Sequence, residues 1–459
     1  MSGIAAWEDD PQSVSAVEPV ERPVPALDHP GLALAIVGRQ PAARRYPAGS
    51  AGFRYWSAAD SLARAVGYWS RVVPDGARWH IRRPLPVDLD AGDDLNAYYD
   101  RQELCFFHAV VRGVTVYSGE SPDVLCHELG HALLDAIRPQ LWNAASIEVA
   151  SFHEAFGDIS AMLAALDLPS VRADVLAATG GRLSRSSRVS RLAEQLGWAI
   201  RQSHPDAVEA DCLRNAVNSF FYRQPEQLPP MAPASALSSE PHSFSRVFTA
   251  AWLESLAGML EARGTGADGL ASAALDAGRL LAGAVGTARI ASNYFAQIAA
   301  GLLSADERLT RGAYHPAIRR AFVGRGILSM SSAAAVAEGR PRRGTAGPGR
   351  RANRLRTIEV PIDGRAYGLR FQRLLVEAPL GATRWSAASA APDLGSAAPT
   401  PPAHASRAFV EDLLRRGRVD TGEFGPRASG MSRAGRTTHA LVRDGRRVRL
   451  VRRLFHARP

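Results

Sequence analysis

The chain has 459 residues, enough for one large or two medium domains with tails, and 46% of them are hydrophobic, as in an ordinary globular protein. The formal net charge of +10 is unevenly distributed, because residues 340–459 hold 25 Arg against 9 acidic residues, whereas residues 1–339 hold 30 Arg against 36 acidic residues. Three cysteines argue against a disulfide framework, and no apolar run is long enough to span a bilayer.

Residues 1–50 are acidic and Pro-rich at their start and predict a disordered leader. They contain neither the basic start nor the apolar core of a signal peptide, and the apolar run at 32–37 is short. We therefore expect a cytoplasmic protein, with export by a route that needs no cleavable signal as the alternative.

Residues 51–330 predict the main domain. Helical periodicity at 58–72 is followed by four predicted strands, at 79–88, 96–100, 103–109 and 114–117. From Ser121 to about residue 328 the pattern is helical, with breaks at Gly180-Gly181, Pro205 and residues 229–233. The sequence thus predicts an α+β fold, in which a small N-terminal sheet lobe and a mainly helical lobe flank the helix that begins near Ser121.

That helix carries His127-Glu128-Leu129-Gly130-His131, which matches the zinc motif H-E-x-x-H. Residues four apart on a helix share a face, so both imidazoles can reach one Zn²⁺. Glu128 is placed to accept a proton from a water that the metal activates. Ser121 suits the N-cap, Pro122 suits the first helical position, and Pro139 ends the helix.

A catalytic zinc site needs three protein ligands and one open position, so a third ligand must come from elsewhere. Residues 151–162 predict a second helix with Glu154 and Asp158 one turn apart on one face. Glu154 is the predicted third ligand, and Asp158 is the carboxylate predicted to accept the far N–H of a ligand histidine. His153 competes as a ligand, but it points about 100° away around the helix.

H-E-x-x-H followed by a helix reading Glu-Ala-x-x-x-Asp resembles the thermolysin-like (gluzincin) zinc metallopeptidases. Three further segments fit that family in the same order: Asn96-Ala97-Tyr98-Tyr99-Asp100, then Leu213-Arg214-Asn215 with Asn218 and Tyr222, then Pro241-His242-Ser243-Phe244-Ser245. The resemblance covers roughly residues 50–335, and its two zinc segments are the specific part.

The resemblance implies a zinc metalloendopeptidase with Glu128 as general base and His242 as the donor that stabilises the oxyanion. It also implies that Asn96 and the backbone of Ala97 bind substrate by strand addition. Trp142 stands where the family has a tyrosine that helps the oxyanion, and its indole N–H can donate with a different geometry.

The chain departs from the family pattern at several points. The arginine that grips a substrate carbonyl has no counterpart between Arg223 and Arg246, which leaves Arg214 as a candidate. Glu240 is a candidate to orient His242, although a spacing of two does not place both on one helical face. Calcium-binding acidic clusters are not evident.

Residues 331–356 predict an Ala/Gly/Arg-rich linker, and residues 357–459 predict a basic accessory β module. Asp363-Gly364 and Asp444-Gly445 are hairpin signals, with a disordered insert at 387–406 and a short helix at 409–416 between them. The Arg-rich tail can attract nucleic acid, anionic lipid or an acidic partner by charge alone. Since the chain contains no Lys, a composition bias without function is the alternative.

Three classes of function therefore compete: an active zinc endopeptidase, a catalytically silent zinc-binding module on the same scaffold, and a tether based on the basic tail. The intact Glu128 favours the first, because structural zinc needs no base. An aminopeptidase would need an acidic group for the substrate's free amine, and no further motif identifies one.

Overall fold

The computed structural model describes residues 3–11, 18–338, 357–381, 400–425 and 437–456, which form a mixed α+β fold. The helices are α1 (Ala51–Ser70), α2 (Pro122–Ile137), α3 (Ile147–Leu166), α4 (Pro169–Thr179), α5 (Glu194–Arg201), α6 (Pro241–Arg263), α7 (Ala267–Thr287), α8 (Tyr294–Thr310), α9 (His315–Gly324), α10 (Met330–Glu338) and α11 (Pro402–Arg415). The strands are β1 (Ile4–Ala6), β2 (Val20–Arg22), β3 (Leu34–Ile36), β4 (Leu85–Asp88), β5 (Ala97–Tyr99), β6 (Leu104–Phe106), β7 (His108–Val111), β8 (Val114–Tyr117), β9 (Arg191–Leu192), β10 (Arg214–Asn215), β11 (Ile358–Asp363), β12 (Arg373–Ala378), β13 (Val419–Asp420), β14 (His439–Asp444), β15 (Arg447–Arg452) and β16 (Phe455–His456).

The N-terminal sheet has five strands in the order β16-β5-β6-β4-β3. β4 runs parallel to both β3 and β6, while β5 is antiparallel to β6 and to β16. Alternating residues such as Leu85, Val87 and Tyr99 are fully buried, in the same hydrophobic core as residues of α1 and α2. The predicted strand at 79–88 is shorter than expected, because Trp79 lies in a loop whose conformation is fixed by an indole N–H bond to Ala33 O.

The N-terminal leader differs from the disordered segment that its composition predicts. β1 and β2 form an antiparallel pair beside α1, and Ile4 and Ala6 are fully buried there. Asp10 accepts bonds from the Ser121 hydroxyl and the Gln195 backbone, at 2.6 and 2.7 Å. Buried apolar side chains and the buried carboxylates of Asp9 and Asp10 thus hold residues 3–11 against the main domain.

The helical lobe brings the two motif helices into close contact. A Cβ on Gly130 of α2 would lie 2.9 Å from Gly157 Cα of α3, and a Cβ on Gly157 would lie 2.7 Å from the His127 ring. Only hydrogen at these two positions permits such an approach. The two glycines therefore set the separation at which α3 presents its side chains to those of α2.

The C-terminal module is a five-stranded sheet in the order β11-β12-β15-β14-β13, covered by α11. The structure contains both predicted hairpins, although β11 and β12 are joined by residues 364–372 rather than by a tight turn at Asp363-Gly364. The first part of the predicted linker is helix α10, and the rest of it, residues 339–356, lies outside the described residues. Most of the predicted insert, residues 387–399, also lies outside them.

Several arginines of the module pair with acidic residues of the same module. Arg443 contacts Glu423 and Arg453 contacts Asp420, each at 2.9 Å. An anionic partner for the tail therefore stays a prediction. None of the helices in the described ranges is both long and apolar enough to cross a membrane.

Candidate metal centre and active site

Helix α2 carries the H-E-x-x-H residues into the interior of the molecule. Its N-cap is Ser121, whose hydroxyl accepts the Val124 N–H at 3.2 Å, as predicted. His127, Glu128 and His131 are all buried, and each offers a ligand atom within 4.8 Å of the others. This buried His-Glu-His group could hold a metal ion.

Glu154 of α3 also reaches this group. Its Oε2 atom lies 3.3 Å from His127 Nε2 and 3.7 Å from His131 Nε2. A tetrahedral zinc ion with ligand distances of about 2.0–2.1 Å separates its ligand atoms by about 3.4 Å. Both histidine Nε2 atoms and Glu154 Oε2 lack hydrogen-bond partners among the described residues. Three buried, unsatisfied atoms at this spacing fit a metal ion.

Glu128 differs from Glu154 in its surroundings. It is fully buried, and neither of its carboxylate oxygens has a hydrogen-bond partner among the described residues. Burial raises the pKa of Glu128 to about 8, although nearby His127 opposes the increase. A carboxylate with free oxygens and a pKa near neutrality is suited to accept and return a proton.

Asp158 lies one turn beyond Glu154, on the far side of His127. His127 Nδ1 faces Asp158 Oδ1 at 3.0 Å, so the carboxylate can fix the tautomer that leaves Nε2 free for a metal. Burial alone would raise the pKa of Asp158, but Arg214 and His127 outweigh it and hold the pKa at about 2. Arg214 thus pairs with Asp158 in this structure, behind the metal-binding residues.

His242 lies in the first turn of α6, with its ring between two acidic side chains. Its Nδ1 faces Glu240 Oε1 at 2.8 Å, and its Nε2 lies 3.1 Å from Glu154 Oε2. Glu240 is the N-cap of α6 and also accepts the Ser243 N–H. Since the N-cap lies outside the helical repeat, the spacing of two is no obstacle to this contact. Burial lowers the pKa of His242, but Glu154 and Glu240 outweigh burial and raise it to about 10.

His153, the competing ligand, does not join the convergent atoms. Its ring centroid is 5.7 Å from that of His131, and its face stacks on Phe455 at 4.0 Å. Burial holds the pKa of His153 well below its usual range, so the ring is neutral. Its position, about 100° around α3 from Glu154, agrees with the helical geometry expected from the sequence.

The predicted substrate strand is β5, which begins at Ala97. One edge of β5 pairs with β6, and the other pairs with β16, with Phe455 opposite Tyr99 and His456 opposite Tyr98. Asn96 precedes β5 and is buried, and its side-chain Oδ1 has no hydrogen-bond partner among the described residues. Ala97 thus lies in the strand that pairs with β16 and Asn96 directly before it, and their role in binding substrate stays a prediction.

Trp142 also lies in this cleft, and its indole N–H donates to Arg452 O at 3.2 Å. The edge of its ring meets the Phe455 ring at a centroid distance of 5.3 Å. Sequence reasoning missed three residues of this region: Arg452 and Phe455, which contact Trp142, and His456, which contacts His242. No local motif marks them, because their positions depend on a pairing between β5 and β16 over more than 350 residues of chain.

The site geometry thus brings six predicted residues into one buried cluster: His127, Glu128, His131, Glu154, Asp158 and His242. Trp142 reaches this region through its contact with Phe455, which stacks on His131. Neither a scan against protein-family models nor a search of curated proteins finds a match for this chain.

Proposed function

We propose that this chain is a zinc metalloendopeptidase of the thermolysin-like, gluzincin type. The observation that carries the proposal is the convergence of His127 Nε2, His131 Nε2 and Glu154 Oε2, at 3.3 and 3.7 Å from the carboxylate oxygen. Beside them, Glu128 keeps both oxygens unpaired. A purely structural metal site has no need for such a free, buried carboxylate.

His127, His131 and Glu154 would hold the ion as a two-histidine, one-carboxylate set, which suits zinc. Glu154 is a better third ligand than Glu128, because it comes from a separate helix and faces both imidazoles. With Glu154 as the ligand, Glu128 is left free to act as the base. A zinc ion bound there supplies acidity to a water molecule and polarises the carbonyl of the scissile peptide bond.

Glu128 acts as the general base and then as the general acid. Both of its carboxylate oxygens are free of hydrogen-bond partners among the described residues, so it can accept the proton of the attacking water and deliver it to the leaving amine. Water adds to the carbonyl carbon, the C–N bond breaks, and the products are a carboxylic acid and an amine. Because Glu128 is fully buried, bulk water does not compete for this proton.

His242 donates from Nε2 to the carbonyl oxygen as negative charge develops on it. Its other nitrogen contacts Glu240, which orients the ring, and Glu154 and Glu240 together raise the pKa of His242 and favour the doubly protonated ring. The edge of β5 that faces away from β6 would supply backbone groups that bind an extended peptide without demanding particular side chains. A peptide bound in this way can extend on both sides of the scissile bond, which favours an endopeptidase over an aminopeptidase.

The test is hydrolysis of a mixed library of internally quenched peptides by the zinc-loaded chain. Glu128→Gln is the matched control, because it keeps the shape and the metal-binding residues but removes the base. The same assay is run on a Phe455→Asp chain. Phe455 is buried, so a charge at this position disfavours the pairing of residues 455–456 with β5 and leaves that edge open to a peptide.

Cleavage by either chain, abolished by Glu128→Gln and by a chelator, supports the proposal. If both chains bind one zinc ion and neither cleaves any peptide in the library, the proposal is wrong. A silent zinc-binding module would then be the better description.

A further inference from the structure

The last described segment of the chain lies in the cleft where a peptide would bind. β16 pairs antiparallel with β5 and forms the outer edge of the N-terminal sheet. It comes from the C-terminal module, whereas its four neighbours in the sheet all lie before residue 107. The edge of β5 that strand addition requires is therefore already occupied.

The backbone of this segment contacts the groups that the proposed mechanism assigns to a substrate. His456 O accepts a hydrogen bond from His242 Nε2 at 2.6 Å. This is the contact proposed for the carbonyl under attack. Trp142 Nε1 donates to a second carbonyl of the segment, Arg452 O. Both bonds are accepted by backbone carbonyl oxygens. A bound peptide of any sequence could therefore form the same two bonds.

Phe455 fills the space next to the metal-binding residues. Its ring stacks on His131 at 4.7 Å and on His153 at 4.0 Å, and only 2% of the residue is exposed. The gap left among Glu154, His242 and Phe455 is a cavity of about 30 Å³, which is room for about two waters. A peptide substrate cannot enter this part of the cleft while Phe455 stays there.

The rest of the module holds β16 in place from both sides of the cleft. On one side, Ala145 N donates to Glu377 O at 2.6 Å and Ser406 Oγ donates to Ala145 O at 3.0 Å. On the other side, at the start of α6, Ser239 donates to Asp412 at 3.1 Å. Anchoring at both rims gives the strand a high effective concentration at the cleft, on the order of millimolar.

We propose that the C-terminal module is a built-in inhibitor, and that its segment 452–456 occupies the peptide cleft in the manner of a substrate and keeps the enzyme latent. This inference rests on the proposed function. Activation then requires displacement of β16 from β5, since a substrate strand and β16 need the same edge. The module itself can stay docked through its contacts with the rims.

The experiment compares three full-length, zinc-loaded chains: the native chain, Phe455→Asp, and Val442→Asp as the matched control. Val442 lies on β14 of the same module but is 44% exposed, so the same change there leaves the cleft untouched. Binding of a fluorescent extended peptide is measured by anisotropy in chains that also carry Glu128→Gln, so that no substrate is consumed. Hydrogen exchange at residues 97–99 reports directly on the β5 edge.

We expect Phe455→Asp to bind the peptide at least tenfold more tightly than the native chain, with faster exchange at residues 97–99 and at least tenfold faster hydrolysis in the chain that retains Glu128. Val442→Asp should match the native chain. A synthetic peptide of residues 450–459 added to Phe455→Asp should restore protection and inhibition, and the same peptide with Asp for Phe should not.

Equal peptide affinity and equal exchange in the native and Phe455→Asp chains would overturn the inference, even if both hydrolyse peptides. If Phe455→Asp gains affinity and loses protection while no chain hydrolyses any peptide, occupancy of the cleft is supported and the peptidase proposal is the one that fails. If Phe455→Asp does not fold, the same measurements are made on the milder Phe455→Ala chain, and their outcomes are interpreted in the same way.

Discussion

Arg214 and Asp158 form a two-point ion pair directly behind His127, with distances of 2.7 Å from Nη2 to Oδ1 and 3.2 Å from Nε to Oδ2. Both side chains are buried. Arg214 Nη2 also comes within 3.5 Å of His127 Nδ1. The pair therefore fixes the position of the carboxylate that orients His127, and it links β10 to the two motif helices.

Asp158→Asn should weaken zinc binding by about 10–100-fold, because the His127 ring loses its charged acceptor. The change also breaks the buried ion pair with Arg214, at a cost of about 3–5 kcal/mol in the free energy of unfolding. The double variant Asp158→Asn, Arg214→Met should regain stability without regaining zinc affinity. Competition with a chromogenic chelator measures the affinity, and Asp167→Asn, at the C-cap of α3, is the control. Native affinity in Asp158→Asn would show that this carboxylate does not orient a ligand.

Glu154→Gln and Glu128→Gln should separate the ligand from the base. Glu154→Gln removes the carboxylate that faces both imidazoles, so we expect zinc affinity to fall by more than the 10–100-fold typical of a residue that only orients a ligand. Glu128→Gln should retain one zinc ion per chain at near-native affinity. Metal content after dialysis and chelator competition measure both effects. The reverse outcome would make Glu128 the third ligand.

Zinc binding should release protons and strengthen as pH rises from about 6 to 9. Burial lowers the pKa of His127, but Asp158 and Glu154 outweigh burial and raise it to about 9 in the metal-free protein, so its ring is protonated at neutral pH. Zinc needs a neutral imidazole, and it must displace this proton. His131, whose pKa burial lowers to about 3, contributes none. Calorimetry at pH 7.5 in two buffers of different ionisation enthalpy should give at least one proton released, and a value of zero would contradict the assignment.

Glu240→Gln should move the alkaline limb of the pH–rate profile to lower pH in the Phe455→Asp chain. His242 donates from Nε2 only while its ring is protonated, because Glu240 holds the other proton at Nδ1. Glu154 and Glu240 both raise the pKa of His242, so loss of the Glu240 charge lowers the pH at which donation stops. His242→Ala should lower kcat by about 10²–10³. An alkaline limb that does not move in Glu240→Gln would exclude this positioning role.

The helices of the site were predictable because their signals are local. Ser121, Pro122 and the spacing of His127 and His131 define α2 without reference to the rest of the chain. Helical periodicity predicts that Glu154 and Asp158 share one face of α3. Gly130 and Gly157, which allow α2 and α3 to approach closely, are visible in the sequence. The resemblance to a known family added His242, which local pattern alone would not have distinguished from a surface histidine.

The rest of the fold depends on pairings between distant segments, which local patterns do not encode. Phe455 and His456 occupy a polar, Arg-rich tail whose hairpin signal ends before them. Nothing within ten residues identifies β5 as their partner. The leader was mispredicted for a similar reason, because Ile4 and Ala6 gain their stability from burial against α1 rather than from their own neighbours.

The site of Phe455 predicts a side-chain preference in substrates. A peptide that binds β5 in the register of β16 places its attacked carbonyl at the position of His456 and the preceding side chain at that of Phe455. That side chain would lie against His131, His153 and Trp142, whose rings favour an aromatic group. Peptides cleaved by the Phe455→Asp chain should therefore be enriched in Phe, Tyr or Trp two residues before the scissile bond.

The preference should be visible as a difference in kcat/KM of about tenfold between peptides that carry Phe and Ala at that position, which corresponds to about 1.4 kcal/mol. Trp142→Ala should reduce this ratio, because it removes one wall of the aromatic site. Mass spectrometry of the cleaved library gives the profile without assuming the scissile bond. Enrichment on the other side of the scissile bond, with none at this position, would mean that β16 and substrates bind β5 in different registers.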